Sequence, residues 1–388
     1  MVAKILRRLQ KLLGAARQII SCRIAGMYGN SRDAFQMDDR AVTELVKSLN
    51  VFTGGNKDIT YSVESLGSAE GKGRFKWTGA SADDEAAFLI PNSSNEILRV
   101  DDKGVIGRHA IRVCQDSGSF RWTGGCIYQG RLYCFPRSSN FLLEYDMSSG
   151  EIREIDLGQN YRGEHHYGGV LVPGGKVILP PRNTDHLLVV DLNSMKAHRV
   201  QLAPQYLNLR LRYCCSVLHP NGLVYFAPER HDRVLVFNPE TEEFRRMGRS
   251  VNAMVFGMAF APDGCLYGFS AVEKGILRID TINETADMIR CDYGIPGCYG
   301  TKLGINGHLY GIPGKGTRFL EFCPEDHSIT RLAYACSDNL VTCAGGSVRR
   351  DGVIVCAPCE EDKLLDLMPS TRRTIPDTLY ELCFSDCY

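Results

Sequence analysis

The sequence predicts an all-β fold, a seven-bladed β-propeller of four-stranded blades with an α-helical N-terminal extension. Three observations carry this expectation. A unit recurs seven times; each copy holds four short apolar or alternating segments separated by turn residues; and no copy contains the ten or so periodic residues that a helix needs. Four short strands per unit of roughly 40 to 50 residues is the pattern of a propeller blade.

The copies can be laid directly on one another. "RWTGGCIYQGRLYCFPRSSNFLLEYD" from Arg121, "HHYGGVLVPGGKVILPPRNTDHLLVVD" from His165 and "RYCCSVLHPNGLVYFAPERHDRVLVFN" from Arg212 share an anchor, a glycine, two apolar segments and a proline between them. The anchors are Trp77, Trp122, Tyr167, Tyr213, Phe256, Tyr299 and Ala344, spaced by 45, 45, 46, 43, 43 and 45 residues. Fourteen or fifteen places after each stands Pro91, Pro136, Pro181, Pro228, Ser270, Pro313 or Pro358.

Within one copy, "GGCIY" (124–128), "RLYCFP" (131–136), "FLLEYD" (141–146) and "EIREIDL" (151–157) read as strands a to d. Gly130, Gly175, Gly222, Gly264, Gly307 and Gly352 precede strand b, where a tight hairpin calls for positive φ. Proline fits the end of strand b, because a residue leaving the ladder has no donor to supply. The anchor aromatics are expected to pack between blades.

Ahead of the repeats, residues 1–32 carry Lys4, Arg7, Arg8, Lys11, Arg17, Arg23 and Arg32, with no acidic residue before Asp33. Ile5, Leu6, Leu9, Leu12, Leu13, Ala16, Ile19 and Ile20 fall near helical spacing, which makes a basic amphipathic helix. Such a composition suits a mitochondrial transit peptide; the other reading is a basic helix docked on the domain or on a membrane, in a cytoplasmic protein. A second short helix is expected over 36–50. The organisation expected is thus a helical extension at 1–50, a propeller at 58–370 and a C-terminal tail at 371–388. Strand 59–66, within "ITYSVESLG", is expected to close the ring as the outer strand of the blade at 344–369, with "TRRTIPDTLY" (371–380) as the competitor for that place.

Composition excludes some classes of function. The formal net charge is zero and the pI about 7.1, so no global field draws the chain to nucleic acid. No apolar run approaches the ~18 residues of a transmembrane helix. The sixteen cysteines are scattered through a chain long enough to build a core without staples, and they read as mostly reduced thiols. No phosphate-binding loop, nucleophile elbow or zinc-protease helix occurs, and no cofactor is implied.

What remains is a pattern of charge. Lys76, Arg121, His166 and Arg212 each stand one residue before an anchor in four consecutive copies, while Arg137, Arg182 and Arg230, with Asn92, follow strand b. The d-to-a and b-to-c connections of a propeller emerge on one face, so a half-ring of cations is expected around the channel there, suited to an anionic ligand or acidic peptide. His165 and His166 are adjacent in an extended segment and point to opposite sides, which argues against one shared metal. "CAPC" (356–359) with Cys383 and Cys387 offers four thiolates for zinc, but Cys356 takes the repeat position of Cys134, where a small buried residue suffices.

"YGGVLVPGGKVI" (167–178) and "FGMAFAPDGCLYGF" (256–269) resemble the short-blade propellers that include kelch-like and virginiamycin B lyase-like repeats. The resemblance spans Trp77 to Met368 and concerns the fold. It departs from kelch in placing the glycine pair after the aromatic, it lacks the "WD" dipeptide, and no position matches a catalytic residue of the lyases. The function expected is a non-catalytic module that binds a protein partner or small anionic ligand at the channel face, as a subunit of a larger assembly. The alternatives are a lyase, lactonase or sugar-acting enzyme using His166, Arg121 or Arg212, and a carbohydrate-binding propeller, although loops such as "PRSSN" and "PRNTD" carry few aromatics.

Overall fold

The computed structural model describes residues 39–71, 73–112, 119–204, 213–230, 232–292, 297–334 and 336–385. The basic segment at 1–32, Arg212 and Cys387 lie outside the described residues. Within them the chain forms seven antiparallel sheets of four strands each, and the innermost strand of the seventh lies against that of the first, so the blades close a ring. The fold is therefore an all-β, seven-bladed propeller.

Burial along each blade explains the residue choice. The third strand of the third blade, His186–Asp191, is covered on both faces by neighbouring blades and is apolar almost throughout. Its outermost strand, Lys196–Gln201, alternates half-buried with exposed positions and carries the charged side chains.

Six blades are built from consecutive strands. The seventh takes Cys343–Val348, Ile354–Pro358 and Lys363–Pro369 from the C-terminal end and Tyr61–Ser68 from the N-terminal end, with Tyr61 opposite Pro369 and Ser68 opposite Lys363. The buried Tyr61 hydroxyl locks this junction, donating to the Gly352 carbonyl at 2.7 Å and accepting from the Ile305 amide at 3.1 Å. The tail at 371–380 is not a strand of this sheet.

Helix α1, Asp39–Gly54, runs four residues further than the expected 36–50, and positions 36–38 lie outside the described residues. Val42, Leu45 and Leu49 form its buried stripe. The stripe rests on the a-to-b turns of the fifth and sixth blades, where Asn50 Nδ2 donates to the Pro262 carbonyl at 2.6 Å. Gly307 needs to be glycine for two reasons: its φ is +85°, and an added Cβ would come within 3.1 Å of Thr53. The tail joins the same layer. Tyr380–Phe384 packs on the innermost strands of the fifth and sixth blades, the Tyr380 hydroxyl donates to Val348 of the seventh at 2.8 Å, and Phe384 meets Phe52 edge-on at 6.3 Å. Helix and tail thus cover one end of the axis. The other end carries the b-to-c and d-to-a loops.

The register of the innermost strands corrects the alignment of the repeats. Opposite the last residue of strand b stand Trp77, Trp122, Tyr213, Val255, Cys298 and Cys343. After Trp77, Trp122, Cys298 and Cys343 come one residue facing the axis and a glycine at positive φ in the bulge: Gly79, Gly124, Gly300 and Gly345. Gly168, at φ 71°, places His166 in that same position in the third blade. Four anchors, Tyr167, Phe256, Tyr299 and Ala344, are therefore displaced by one residue. The third-blade counterpart of Trp77 and Trp122 is His166, and the counterpart of Lys76 and Arg121 is His165.

Candidate ligand site at the loop end of the axis

A ring of backbone hydrogen bonds sets the positions of the side chains here. The amides of Arg121 and His165 donate to Asn92 and Arg137 of the preceding blade, and the amide of Lys76 donates to Cys359 of the seventh. In return Asn92, Arg137, Arg182 and Cys359 donate to Lys76, Arg121, His165 and Thr342 within their own blades. Every buried amide so used is satisfied, and the residue before strand a has its side chain directed into the seam between blades.

Lys76, Arg121 and His165 accordingly reach back into the b-to-c loop of the blade before. Lys76, whose side chain is 3% exposed, donates from Nζ to Asp362 at 2.6 Å and to the Glu360 carbonyl at 3.2 Å. Arg121 donates to the Ser94 carbonyl at 2.6 Å and to Asn95 Oδ1 at 2.8 Å, with its guanidinium 4.7 Å from the Trp122 ring centre. The His165 ring is held between the carbonyls of Gly163 at 2.8 Å and Ser139 at 2.9 Å, with Tyr161 stacked on it at 4.2 Å. These are interblade clamps.

His166 is fully buried, and its Nδ1 donates to the Pro180 carbonyl at 2.8 Å. That bond fixes the tautomer, because a carbonyl only accepts; Nε2 is left as a bare lone pair without a partner among the described residues. Burial drives its pKa down from 6.5 to about 3, with the neighbouring His165 adding to the effect. His166 is thus a neutral seam residue.

Arg137 and Arg182 follow strand b and face the axis. Arg137 is sandwiched, its guanidinium 4.9 Å from the Phe120 ring centre and 4.8 Å from that of Tyr167, while Arg182 lies 4.8 Å from the same tyrosine. Glu164 bridges the two: Oε1 accepts from Arg137 Nη2 at 2.7 Å and Oε2 accepts from Arg182 Nη1. Arg182 also pairs with the buried Glu229 at 3.4 Å. Two arginines and two carboxylates leave this group without formal net charge. Arg230 is exposed, and Asn92 is buried, spanning Thr78, Thr123 and the Trp122 carbonyl.

From Tyr167 onward the loop end is apolar. Tyr167 meets Phe256 at 5.3 Å and Phe256 meets Tyr299 at 4.9 Å; Tyr299 and Phe75 both pack on the cluster of Val341, Ala344 and Cys359. Phe75 touches Phe120 edge-on at 5.5 Å. Both phenylalanines stand in the left-handed region, at φ 52° and 66°, a conformation costing a bulky residue about 1–2 kcal/mol. The Ser93 and Ser138 hydroxyls hold them there, donating to the Phe75 and Phe120 carbonyls at 3.2 and 2.8 Å. The loop end therefore presents a charged crescent from the second to fourth blades, and an aromatic crescent that begins at Tyr167 of the third blade, beneath the two arginines, and continues through Phe256 and Tyr299 of the fifth and sixth.

Sequence reasoning missed Phe75, Phe120, Glu229 and the bridging role of Glu164. The signal for the phenylalanines was present, since "RFKW" and "SFRW" place Phe two residues before each tryptophan. Among the described residues no group of three or more His, Cys, Asp or Glu side chains is arranged to hold a metal. Cys359 lies at the loop end and Cys383 in the tail at the other.

No protein-family model matches the chain, and no curated protein sequence matches it. Among solved structures it is similar to a streptogramin B lyase, with a TM-score of 0.67 and 15% identity over 80% of this chain and 98% of that one. It is similar to a catalytically inactive virginiamycin B lyase from Staphylococcus aureus with quinupristin, at TM-score 0.64 and 14% identity over 80% and 99% of the two chains. The extracellular domain of a hybrid two-component system from B. thetaiotaomicron is also similar, at TM-score 0.59 and 12% identity over 79% of this chain and 40% of that one. Identities this low bear on the fold alone: a seven-bladed propeller with lyase-like structural neighbours.

Proposed function

We propose that this protein is a non-catalytic binding propeller whose ligand, or partner side chain, docks at the loop end of the axis. It presents an anionic group to Arg137 and Arg182 and an apolar body to Tyr167, Phe256 and Tyr299. The observation that carries this reading is the shared seat of the two arginines on Tyr167, each 4.8 Å from its ring centre. Stacked guanidinium groups keep their N–H edges available in a fixed plane, which suits a two-oxygen acceptor. The strain at Phe75 and Phe120 supports it too, since strained backbone gathers at functional sites. A thermal-shift comparison of apolar carboxylates with size-matched amines tests it. Carboxylates are expected to raise the melting temperature of the protein, with the effect gone in Arg137→Glu/Arg182→Glu; stabilisation by amines alone would overturn it.

Delivery to the mitochondrion by the basic segment at 1–32, and membership of a larger assembly there, belong to the same proposal. Native mass spectrometry of protein purified from its source reads partner masses and the mature N-terminus together.

A catalytic reading has one observation in its favour. Asp185 Oδ1 lies 2.8 Å from His186 Nδ1, and His186 Nε2 lies 2.5 Å from the Tyr161 hydroxyl, a carboxylate–imidazole–phenol chain beside the third blade. Burial raises the Tyr161 pKa, the opposite of what activating a phenol requires. The binding reading is therefore preferred.

A further inference from the structure

We propose that Glu164 is an internal stand-in for the ligand's carboxylate, so that the ligand binds by displacing it. This inference rests on the binding reading above and adds the ligand's class and the reason for its selection.

The position of Glu164 in the repeat is the first argument. It stands one residue before His165, as Phe75 and Phe120 stand before Lys76 and Arg121. Where two blades place an aromatic ring over the axis, the third places a carboxylate, and that carboxylate lies across the seat formed by Arg137 and Arg182.

The second argument is that the seat is built without Glu164. Arg137 is held between Phe120 and Tyr167, and Arg182 is held on Tyr167 and by the buried Glu229. The side chains of the two arginines are only 11% and 12% exposed, whereas Glu164 is 31% exposed and is the outermost of the three. A carboxylate that leaves therefore moves toward solvent while its partners stay in place. Its backbone need not move, because Asn183 Nδ2 fixes the Glu164 carbonyl at 2.7 Å. Rotation of one side chain is enough to clear the seat, and solvation of the released carboxylate offsets the lost ion pairs.

The third argument is chemical. Each Glu164 oxygen serves a different arginine, so the seat accepts a planar two-oxygen anion. The aromatic crescent of Tyr167, Phe256 and Tyr299 adjoins it. The ligand class is a carboxylate on an apolar or aromatic body, and a carboxylate lacking that body has nothing to repay the displacement of Glu164.

Calorimetric titration of hydrocinnamate into the wild type, Glu164→Ala, Glu164→Gln and Arg137→Glu/Arg182→Glu tests the inference, with phenylpropylamine as the oppositely charged control. Both Glu164 variants are expected to bind hydrocinnamate at least tenfold more tightly than the wild type and to gain nothing for the amine. The double arginine variant is expected to lose binding. Equal or weaker hydrocinnamate binding by both Glu164 variants, with wild-type binding still abolished by the arginine changes, would overturn the stand-in and leave the binding reading intact. No hydrocinnamate binding by any folded form would remove both. Glu164→Gln keeps the side-chain volume and one acceptor oxygen, and carries the test if the alanine variant does not fold.

Discussion

His166 occupies in the third blade the seat that Trp77 occupies in the first. Each is fully buried, and each is followed by a residue facing the axis and a glycine at positive φ, Gly168 or Gly79. Trp77 satisfies its indole N–H on the Glu96 carbonyl at 3.0 Å; His166 satisfies one nitrogen on Pro180 and leaves the other bare. A seam that holds an indole comfortably thus holds an imidazole only in its neutral form.

That makes the third-blade seam sensitive to acid. The His166 pKa is lowered from 6.5 to about 3, so below pH 6.5 the unfolded chain takes up a proton that the folded chain refuses. Stability from this group is complete above pH 6.5 and is lost progressively as the pH falls toward 3, by about 2 kcal/mol at pH 5. His219, lowered by burial to about 4, adds a parallel loss. Urea denaturation as a function of pH is expected to show a shallower decline between pH 6.5 and 4 for His166→Phe than for the wild type. An unchanged slope would mean that His166 is protonated in the folded state.

The closing blade contains the opposite case. Asp366 is buried, with Glu64 opposite it on the N-terminal strand. Burial raises its pKa from 3.8 to about 8, against the pull of Arg349. Between these values the folded state holds a proton that the unfolded state has given up, so stability from this group falls as the pH rises from 3.8 to about 8. Asp366→Asn is expected to stabilise the protein at pH 7 by on the order of 2–4 kcal/mol and to flatten this fall. Destabilisation at pH 7, measured by the same denaturation, would show an ionised Asp366 paired with Arg349.

One hydroxyl ties the closing strand to the two blades beside it, in addition to the strand's own ladder. Tyr61→Phe keeps the ring volume but leaves the Gly352 carbonyl and the Ile305 amide without their partner. An unmet buried polar group costs about 1–3 kcal/mol, so a loss of at least that size is expected in equilibrium unfolding. Hydrogen exchange should speed up at the Ile305 amide and along residues 61–68 before it does in the second blade. Uniform acceleration over all blades would show that closure is not local.

The blades were legible because their signals are local. A glycine ahead of strand b, a proline at its end and an apolar third strand each act within a few residues, as in Gly130, Pro136 and Phe141–Asp146. Aromatic character is a poor guide to register here: in the third, fifth and sixth blades the aromatic residue stands one place beyond the residue opposite the end of strand b. Trp77 and Trp122 lie in the seams, whereas Tyr167, Phe256 and Tyr299 face the axis, so chemically similar side chains hold different positions. The bulge glycine, in "WTG", "HYG", "CYG" and "CAG", marks the true register.

Charge was less legible than fold. Lys76 and Arg121 look alike in sequence to Arg137 and Arg182, yet the backbone ring turns the first pair into the seams and the second toward the axis. Their carboxylate partners, Asp362, Glu164 and Glu229, are dispersed along the chain and meet only through closure and the stacking of blades. Nothing in the local sequence around Arg182 announces Glu229, 47 residues away.

The central claim is that a carboxylate with an apolar body binds where the two crescents meet. A crystal structure grown with para-bromohydrocinnamate tests it most directly, because the anomalous signal of bromine locates the ring and the density locates the acid. The account predicts bromine beside Phe256 and Tyr299 and the carboxylate on Arg137 and Arg182, with the Glu164 side chain turned outward. Bromine at the helix-covered end of the axis, or on an outer strand with Glu164 still bridging both arginines, would contradict it.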